Sequence, residues 1–331
     1  MTQPCLHTSA VPARRVPIRF DAFVVALLVV ALLGAFFPVA GETAAVLRIV
    51  VVAAIALLFF LYGVRLSTAE TVAGLTNWRL HLAIVATTFV MFPLVGIASR
   101  GLIEPVIGAG LAAGFVLLCL VPSTLQSNVV FTRMAGGDTA AAVVAASLSN
   151  LIGVFLTPAL VALALSAQAD VNARSVVRIL LQFLLPFVLG QLARPILSGW
   201  VASNEGWLRH VDRSGILLVV FLAFSASTTA GVWSRVSVGS IVAVVLLCFA
   251  LLALACAWLL GVGRLLGFAR PAGTALLFCG SNKSLATGLP MAAVLFASSR
   301  DVALIVLPLM IYHQLQIILG GIIATRLSRQ G

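Results

Sequence analysis

The stretch FCGSNKSLATGLP, residues 278–290, contains Lys283, the single lysine of a 331-residue chain. Apolar residues on both sides extend it into a run, 272–296, that is long enough to cross a bilayer as a helix. Residues that disturb a helix surround the lysine: Gly280, Ser281, Asn282, Ser284 and Pro290. The pattern predicts a membrane helix that is broken around Gly280, with a further helix-breaking position at Pro290.

A lysine in this position needs a physical reason. A charged side chain at the centre of a span costs ~2.5–3.5 kcal/mol on insertion scales, and the stem of Lys283 is too short to reach either surface by snorkelling. We therefore expect its amino group to face a cavity or the protein interior, or to be uncharged. Two interpretations stay open, a structural lysine that ties together the carbonyls of a broken helix and a functional positive charge. One side chain can serve both purposes.

The composition identifies the class of protein. Hydrophobic residues make up 62% of the chain, charged residues 9%, and the mean hydropathy is +1.19, whereas soluble domains contain about 25% charged residues. An integral protein of the lipid bilayer is predicted. The net charge of +11 comes mainly from arginines that stand singly or in pairs between apolar runs. That distribution indicates membrane topology and argues against a nucleic-acid partner.

Apolar runs of about 20 residues predict ten membrane spans. They are 20–39, 44–64, 78–98, 106–134, 139–165, 176–198, 214–233, 239–262, 272–296 and 302–325. The longest predicted connection is 199–213, and residues 1–19 form a predicted N-terminal tail. If the N-terminus lies inside, thirteen arginines face the cytoplasm and six face outward, so the positive-inside rule places both termini in the cytoplasm. We expect the plasma (inner) membrane as the location.

The ten spans divide into two halves of five, residues 20–165 and 176–326. Because five is odd, homologous halves must enter the membrane in opposite directions, which is a common plan of secondary transporters. The fourth span of each half carries a Ser-Asn pair, Ser127-Asn128 and Ser281-Asn282, and the two pairs are 154 residues apart. The sequence predicts an inverted repeat in which the two pairs lie at matching depth in matching spans.

Pro122 interrupts the fourth predicted span because it lacks a backbone donor. Polar residues follow at once: Ser123, Thr124, Gln126, Ser127 and Asn128. A proline kink with serines bonded back to the backbone accounts for Pro122 and Ser123, but the amides of Gln126 and Asn128 need further partners. Non-helical backbone at membrane depth survives only inside protein or beside a water-filled cavity. We predict that this segment binds a substrate or an ion.

Three more polar side chains lie deep in predicted spans: Asn150, His313 and Gln316. His313 and Gln316 are three residues apart and share a helical face; the alternative to a binding role is hydrogen bonding between helices. Every acidic residue falls at a span end or in a loop. That placement argues against a carboxylate proton relay and an intramembrane protease. No catalytic set, metal-binding pattern or P-loop is present in the sequence, so we expect neither an enzyme nor an ATP-driven pump.

Three segments together resemble the bile acid:sodium symporter superfamily, and within it the SBF-like branch. They are VPSTLQSNVVFTRMAGGDTAAAVVAASLSNLIGVFLTPAL (121–160), FCGSNKSLATGLPMAAVLF (278–296) and VLPLMIYHQLQIILGG (306–321). The resemblance implies ten helices in two inverted repeats, with helices 1, 2, 6 and 7 as a panel and helices 3–5 and 8–10 as a core. It also implies that broken helices 4 and 9 cross at the midplane. Ser127 and Asn128 match sodium ligands of the symporters, and Ser281-Asn282 match the helix 9 crossover.

The sequence departs from that family pattern at the cation sites. The symporters carry a glutamate just before the helix 9 break, where this chain has Leu277 or Phe278. Hydroxyl ligands expected in helix 5 fall near Ala142 and Ala146. A hard cation requires oxygen ligands and a compensating negative charge, and this site offers the positive charge of Lys283 instead.

We expect a secondary-active carrier of a small organic anion that works by alternating access. Lys283 would oppose a substrate carboxylate or sulfonate together with half-helix N-termini, in place of a coupling cation. Two alternatives stay open: ordinary sodium-coupled symport of an organic anion through the retained Ser-Asn ligands, and a non-transporting regulator of ion (calcium) homeostasis. The sodium ion is the only cofactor implied. The sequence names neither the substrate nor the oligomeric state.

Overall fold

A computed structural model describes residues 22–66, 77–169, 173–297 and 299–330. The predicted N-terminal tail, residues 1–19, lies outside the described residues. Within these ranges the chain is helical, without a β-strand. Apolar side chains fill the interior and also cover much of the outer surface, as at Ile196 and Leu265. A surface of this kind is stable in contact with lipid rather than water.

The helices, numbered in chain order, are as follows: α1 Ala22–Phe36, α2 Gly41–Arg65, α3 Trp78–Ala86, α4 Phe92–Ile107, α5 Ala109–Leu120, α6 Gln126–Met134, α7 Thr139–Ala169, α8 Ala173–Ser203, α9 Glu205–Thr229, α10 Val238–Leu265, α11 Arg270–Ser281, α12 Leu285–Leu295 and α13 Val302–Ser328. A π-helical turn, Thr87–Met91, joins α3 to α4, and a short 3-10 helix, Val232–Arg235, precedes α10.

Seven helices in the described ranges are long and apolar enough to cross a membrane, counting α3, the π turn and α4 as one. Each predicted span coincides with helical structure, and the polytopic, all-helical class is confirmed. The predicted spans 106–134 and 272–296 are each divided into two half-helices, α5 with α6 and α11 with α12. The count of ten membrane spans stays a prediction.

The predicted connection 199–213 is wrong in one respect, because this segment is helical. Only Asn204 separates α8 from α9. The segment buries Val201 and Leu208 against α2, and Arg209 pairs with Glu205 one turn away. Buried apolar residues on one face and an ion pair between residues four apart both stabilise a helix here. The sequence prediction of a loop rested on the number of charged residues in this segment.

The helices pack in two groups. In the first, α2 packs against α8, and α1 and α2 pack against α9. In the second, the half-helices α5 and α11 are surrounded by α4, α10 and α13. Contacts of α9 with α12 and α13, and of α7 with α8, join the groups. The broken helices therefore lie inside the second group.

Two glycines allow α2 and α8 to approach closely. A Cβ atom at Gly63 would overlap the carbonyl oxygen of Phe187, and one at Gly190 would overlap the carbonyl oxygen of Phe60. Small residues at such contacts let helix backbones pack closely in membranes. The side chain of Gln191 stabilises this contact between α2 and α8, since its Nε2 donates to the carbonyl oxygens of Gly63 at 2.7 Å and Leu66 at 2.9 Å.

We predict that Gly63→Ala destabilises the protein by about 1–3 kcal/mol, because the added methyl group forces the two backbones apart. Thermal unfolding in detergent measures the effect. Gly199→Ala in α8 is the matched control, since nothing lies within 4 Å of its Cβ position and alanine favours a helix over glycine. Equal melting temperatures for the two variants would contradict the close contact.

Candidate functional site: the crossing of two broken helices

The two helix breaks touch each other. The first, residues 121–125, separates α5 from α6, and the second, residues 282–284, separates α11 from α12. Val121 and Asn282, the residues after α5 and α11, both have extended backbone conformations. The backbone N–H of Ser284 donates to the carbonyl oxygen of Pro122 at 2.8 Å, and Ser123 Oγ donates to the carbonyl oxygen of Cys279 at 2.6 Å. We call these two breaks and their contacts the crossover.

Every carbonyl oxygen from Cys119 to Ser123 accepts a hydrogen bond from another element. Pro122 cannot donate, so the end of α5 loses its regular partners. The replacement donors are Lys283 Nζ for Cys119 and Val121, Thr157 Oγ1 for Leu120, the N–H of Ser284 for Pro122, and Asn150 Nδ2 for Ser123. Buried backbone must be paired in this way, so the first break is satisfied by side chains from distant parts of the chain.

Lys283 is the main donor to these carbonyls. Its side chain is fully buried, and Nζ donates to the carbonyl oxygens of Val121 at 3.0 Å, Cys119 at 3.2 Å and Thr88 at 3.2 Å. Three acceptors match the three N–H groups of an ammonium, since a neutral amine has two. The ring of Phe92 lies 4.0 Å from Nζ and adds a cation–π contact. The amino group thus faces the protein interior, surrounded by ligands suited to a cation.

The π turn before α4 explains why the carbonyl of Thr88 is available. The N–H of Phe92 bonds to the carbonyl oxygen of Thr87, five residues back, and leaves the oxygen of Thr88 without its usual donor. The next residue, Pro93, has no N–H to offer. Lys283 supplies the missing donor from 195 residues away. π turns of this kind are frequent at functional sites.

Helix α13 holds the second break. The side-chain amide of Gln316 forms two hydrogen bonds with the backbone of Lys283. Its Oε1 accepts from the N–H of Lys283 at 2.7 Å, and its Nε2 donates to the carbonyl oxygen of Lys283 at 2.8 Å. The Gln316 Nε2 atom also lies 2.8 Å from His313 Nδ1. Tyr312 donates its hydroxyl to the carbonyl oxygen of Ser281 at 2.7 Å. The backbone on both sides of Lys283 is therefore fixed by one helix.

An amide ladder joins the two Ser-Asn pairs. Asn282 Nδ2 donates to Asn128 Oδ1 at 2.8 Å, and Asn128 Nδ2 donates to Ser123 Oγ at 2.8 Å. The pairs nevertheless differ in position. Ser127-Asn128 lie at the start of α6, after the first break, while Ser281 ends α11 and Asn282 begins the second break. The pairs lie in the predicted spans and contact each other, but they are not equivalent relative to the breaks, because the residues that follow each first half-helix are Val121 and Asn282.

Two residues that were predicted to break a helix lie within regular helix instead. Gly280 is inside α11, where its missing side chain allows Leu259 to pack against the backbone. Pro290 is inside α12 and does not end it. Pro122 does lie in a break. The second break starts at Asn282 because the N–H groups of Lys283 and Ser284 bond to Gln316 and Pro122 rather than to α11.

The remaining predicted site residues differ in how far their side chains are exposed to solvent. Ser284 is buried and caps α12, its Oγ accepting from the N–H of Thr287 at 3.3 Å. Asn150 and His313 are half-buried at the edge of the crossover. Thr124 is half-buried and Gln126 exposed, so the start of α6 is the part of the crossover that opens outward.

The start of α6 presents unused hydrogen-bond donors. No described residue accepts from the backbone N–H groups of Gln126, Ser127 and Asn128. The hydroxyl of Ser127 has no partner among the described residues either, although the residue is only 7% exposed. Unpaired amides at a helix N-terminus attract anions. The first half of the crossover can accept an anionic group, while α12 begins with its own serine cap.

Sequence reasoning missed the backbone carbonyl of Thr88 and the side chains of Phe92 and Tyr312. A signal for Thr88 exists in TTFVMFP, residues 87–93, where a proline follows two threonines within an apolar run. Such a proline must leave a carbonyl without a donor. Phe92 and Tyr312 carry no comparable signal, since aromatic residues in a membrane span more often pack than bind.

Comparison with known proteins places these features in a family. The model of the SBF-like CPA transporter family matches residues 21–329. The chain belongs to that family. It is 45% identical over 312 residues to an uncharacterized protein, PA2026, of Pseudomonas aeruginosa, and 42% identical over 311 residues to "Putative symporter YfeH" of Escherichia coli K12. Each alignment covers 94% of this chain and 93% of the relative.

More distant relatives come from animals. The chain is 28% identical over 277 residues to "Sodium/bile acid cotransporter 7" of the mouse, covering 82% of this chain and 80% of that protein. This member of the SBF-like family is thus an integral membrane protein of transporter type and not an enzyme. The resemblance inferred from residues 121–160, 278–296 and 306–321 is confirmed at family level.

We predict that Lys283→Met destabilises the protein by more than about 3 kcal/mol. Methionine has a similar length but offers no donor, and each buried carbonyl left unpaired costs about 1–3 kcal/mol. Unfolding in detergent measures the loss. Gln314→Met is the control, since Gln314 follows His313 on the same helix and no described residue bonds to its amide. A Lys283→Met variant as stable as the control would show that the three hydrogen bonds are not made.

Proposed function

We propose that this protein is a secondary-active carrier of a small organic anion that works by alternating access. In this proposal it has ten spans in two inverted repeats, residues 20–165 and 176–326, with both termini in the cytoplasm of a plasma (inner) membrane. The group of α1, α2, α8 and α9 moves as a panel against the group that contains the crossover. The separate packing of the two groups supports this division.

The observation that carries the proposal is the environment of Lys283 Nζ, three carbonyl oxygens and an aromatic face around one buried positive charge. Backbone carbonyl oxygens at the ends of broken helices are also the groups that coordinate free cations in other transporters. Here the chain supplies the cation itself. Transport would then require no sodium, and the carrier would work as a uniporter, an exchanger or a proton-coupled transporter.

The anion site in this proposal is the start of α6. The free N–H groups of Gln126 to Asn128 and the unpaired hydroxyl of Ser127 point to a carboxylate or sulfonate as ligand. Gln126 is exposed beside them and can contact the rest of the substrate. Lys283 lies behind this site rather than in it, because its three N–H groups are committed to backbone carbonyls. It contributes a positive charge to the crossover without touching the substrate.

Ordinary sodium symport is the second candidate. The names of the animal relatives include sodium, and the hydroxyl of Ser127 is an unused oxygen ligand. Against it, Asn128 Oδ1 already accepts from Asn282, and the carbonyl oxygens of Cys119 and Val121 accept from Lys283.

Uptake into proteoliposomes distinguishes the two candidates. Radiolabelled taurocholate and benzoate serve as a sulfonate probe and a carboxylate probe. We expect uptake of at least one probe above that of protein-free liposomes with potassium as the sole alkali cation on both sides, and no stimulation by an inward sodium gradient. Uptake that strictly requires sodium would overturn the role assigned to Lys283 and establish the second candidate.

We predict that Ser127→Ala weakens the apparent affinity for the transported anion about tenfold or more, since a hydrogen bond to a charged group contributes about 1.5–3 kcal/mol. The fold should be unaffected, because the hydroxyl bonds to no described residue. Concentration-dependent uptake measures the change. Ser203→Ala is the control, since Ser203 is exposed and its hydroxyl donates to the carbonyl oxygen of Gly199 in its own helix. An unchanged affinity in Ser127→Ala would remove Ser127 from the site.

A further inference from the structure

Arg48 is an arginine on the membrane-facing side of α2. It lies seven residues after Gly41, the first residue of the helix, which is about 10 Å along the axis at 1.5 Å per residue. Its neighbours Val46 and Ile49 are 55% and 71% exposed. The surface around Arg48 is therefore apolar, and lipid is the medium that such a surface faces.

The guanidinium of Arg48 has no partner within the protein. No described residue forms an ion pair or a hydrogen bond with it. An ionised group within a membrane span is costly unless an opposite charge or water accompanies it. The long side chain can direct its charge toward the nearer membrane surface, where phosphate groups are the abundant anions.

A cavity of about 210 Å³ lies beside Arg48, between the first two turns of α2 and the last turns of α9. The α2 side of the cavity includes Ala44, Ala45 and Arg48, and the α9 side consists of Leu222, Ala226 and Thr229. Arg48 is the one charged residue in the lining. The cavity therefore favours a negatively charged group.

The walls of this cavity are held together by Ser225. Its Oγ accepts from the N–H of Val39 at 2.7 Å and donates to the carbonyl oxygen of Val39 at 3.2 Å. These bonds tie the α1–α2 turn to α9, so the cavity is a fixed part of the fold. Thr229 also lines the cavity, and its hydroxyl donates to the carbonyl oxygens of Ser225 and Ala226 in its own helix.

We infer that this cavity binds the phosphate group of an anionic membrane phospholipid, with Arg48 as its counter-charge. A lipid fits better than a soluble anion, because Arg48 lies about two turns into an apolar helix and its chain neighbours Val46 and Ile49 are exposed, which offers a surface for acyl chains. The site is separate from the crossover and does not depend on the transport proposal.

Native mass spectrometry of the full chain released from nanodiscs tests this site. The discs contain phosphatidylglycerol and phosphatidylcholine in equal amounts. We expect one retained phosphatidylglycerol per chain in preference to phosphatidylcholine, and at least a fivefold lower occupancy in Arg48→Gln. Ala226→Leu, which fills the cavity and keeps the arginine, should lower the occupancy as well. Arg264→Gln, at an exposed arginine that is not part of the lining of this cavity, should retain the lipid.

Several results would overturn the inference. They are wild-type lipid occupancy in both Arg48→Gln and Ala226→Leu, equal retention of phosphatidylcholine, or an equal loss in Arg264→Gln. Displacement of the lipid by glycerol phosphate at low concentration would show that a soluble anion is the ligand. A change of oligomeric mass in Arg48→Gln without a change in lipid number would show that a second copy of the chain covers this surface.

Discussion

The contact between Lys283 and three backbone carbonyls is the constraint on which the crossover depends. Two broken helices inside a membrane protein leave carbonyls that water cannot reach, and each must find a donor. The ammonium supplies three of these donors at one point and joins α5, α11 and the π turn before α4. Because those segments are far apart in the chain, the lysine also fixes how the second group of helices is assembled.

The positions of the helices could be predicted from the sequence, because a bilayer requires long apolar runs and the runs are easy to delimit. Pro122 likewise marked the first break through its missing donor. The position of the second break could not be read in the same way. It is set by Gln316 and Pro122, which bond to the backbone of Lys283 and Ser284 across the fold. Such long-range pairings leave no local pattern in the sequence.

The residues of the crossover were also easier to predict than their roles. The polar residues after Pro122 and around Lys283 do lie at the meeting point of the broken helices, and Asn128 and Asn282 contact each other. Their common dipeptide suggested equivalent positions, but Ser127-Asn128 follow the first break, whereas Ser281 is the last residue of α11 and Asn282 is the first residue of the second break. The two half-helices that begin here therefore differ: α12 starts with a serine cap, whereas α6 starts with open donors.

A cation held by a covalent bond differs from a bound ion in its dependence on concentration. A dissociable ion stabilises a native state by mass action, and this contribution disappears as the ion is diluted. The amino group of Lys283 is present at one copy per chain at every sodium concentration. The hydrogen bonds that it gives to the crossover therefore do not depend on the salt composition on either side of the membrane.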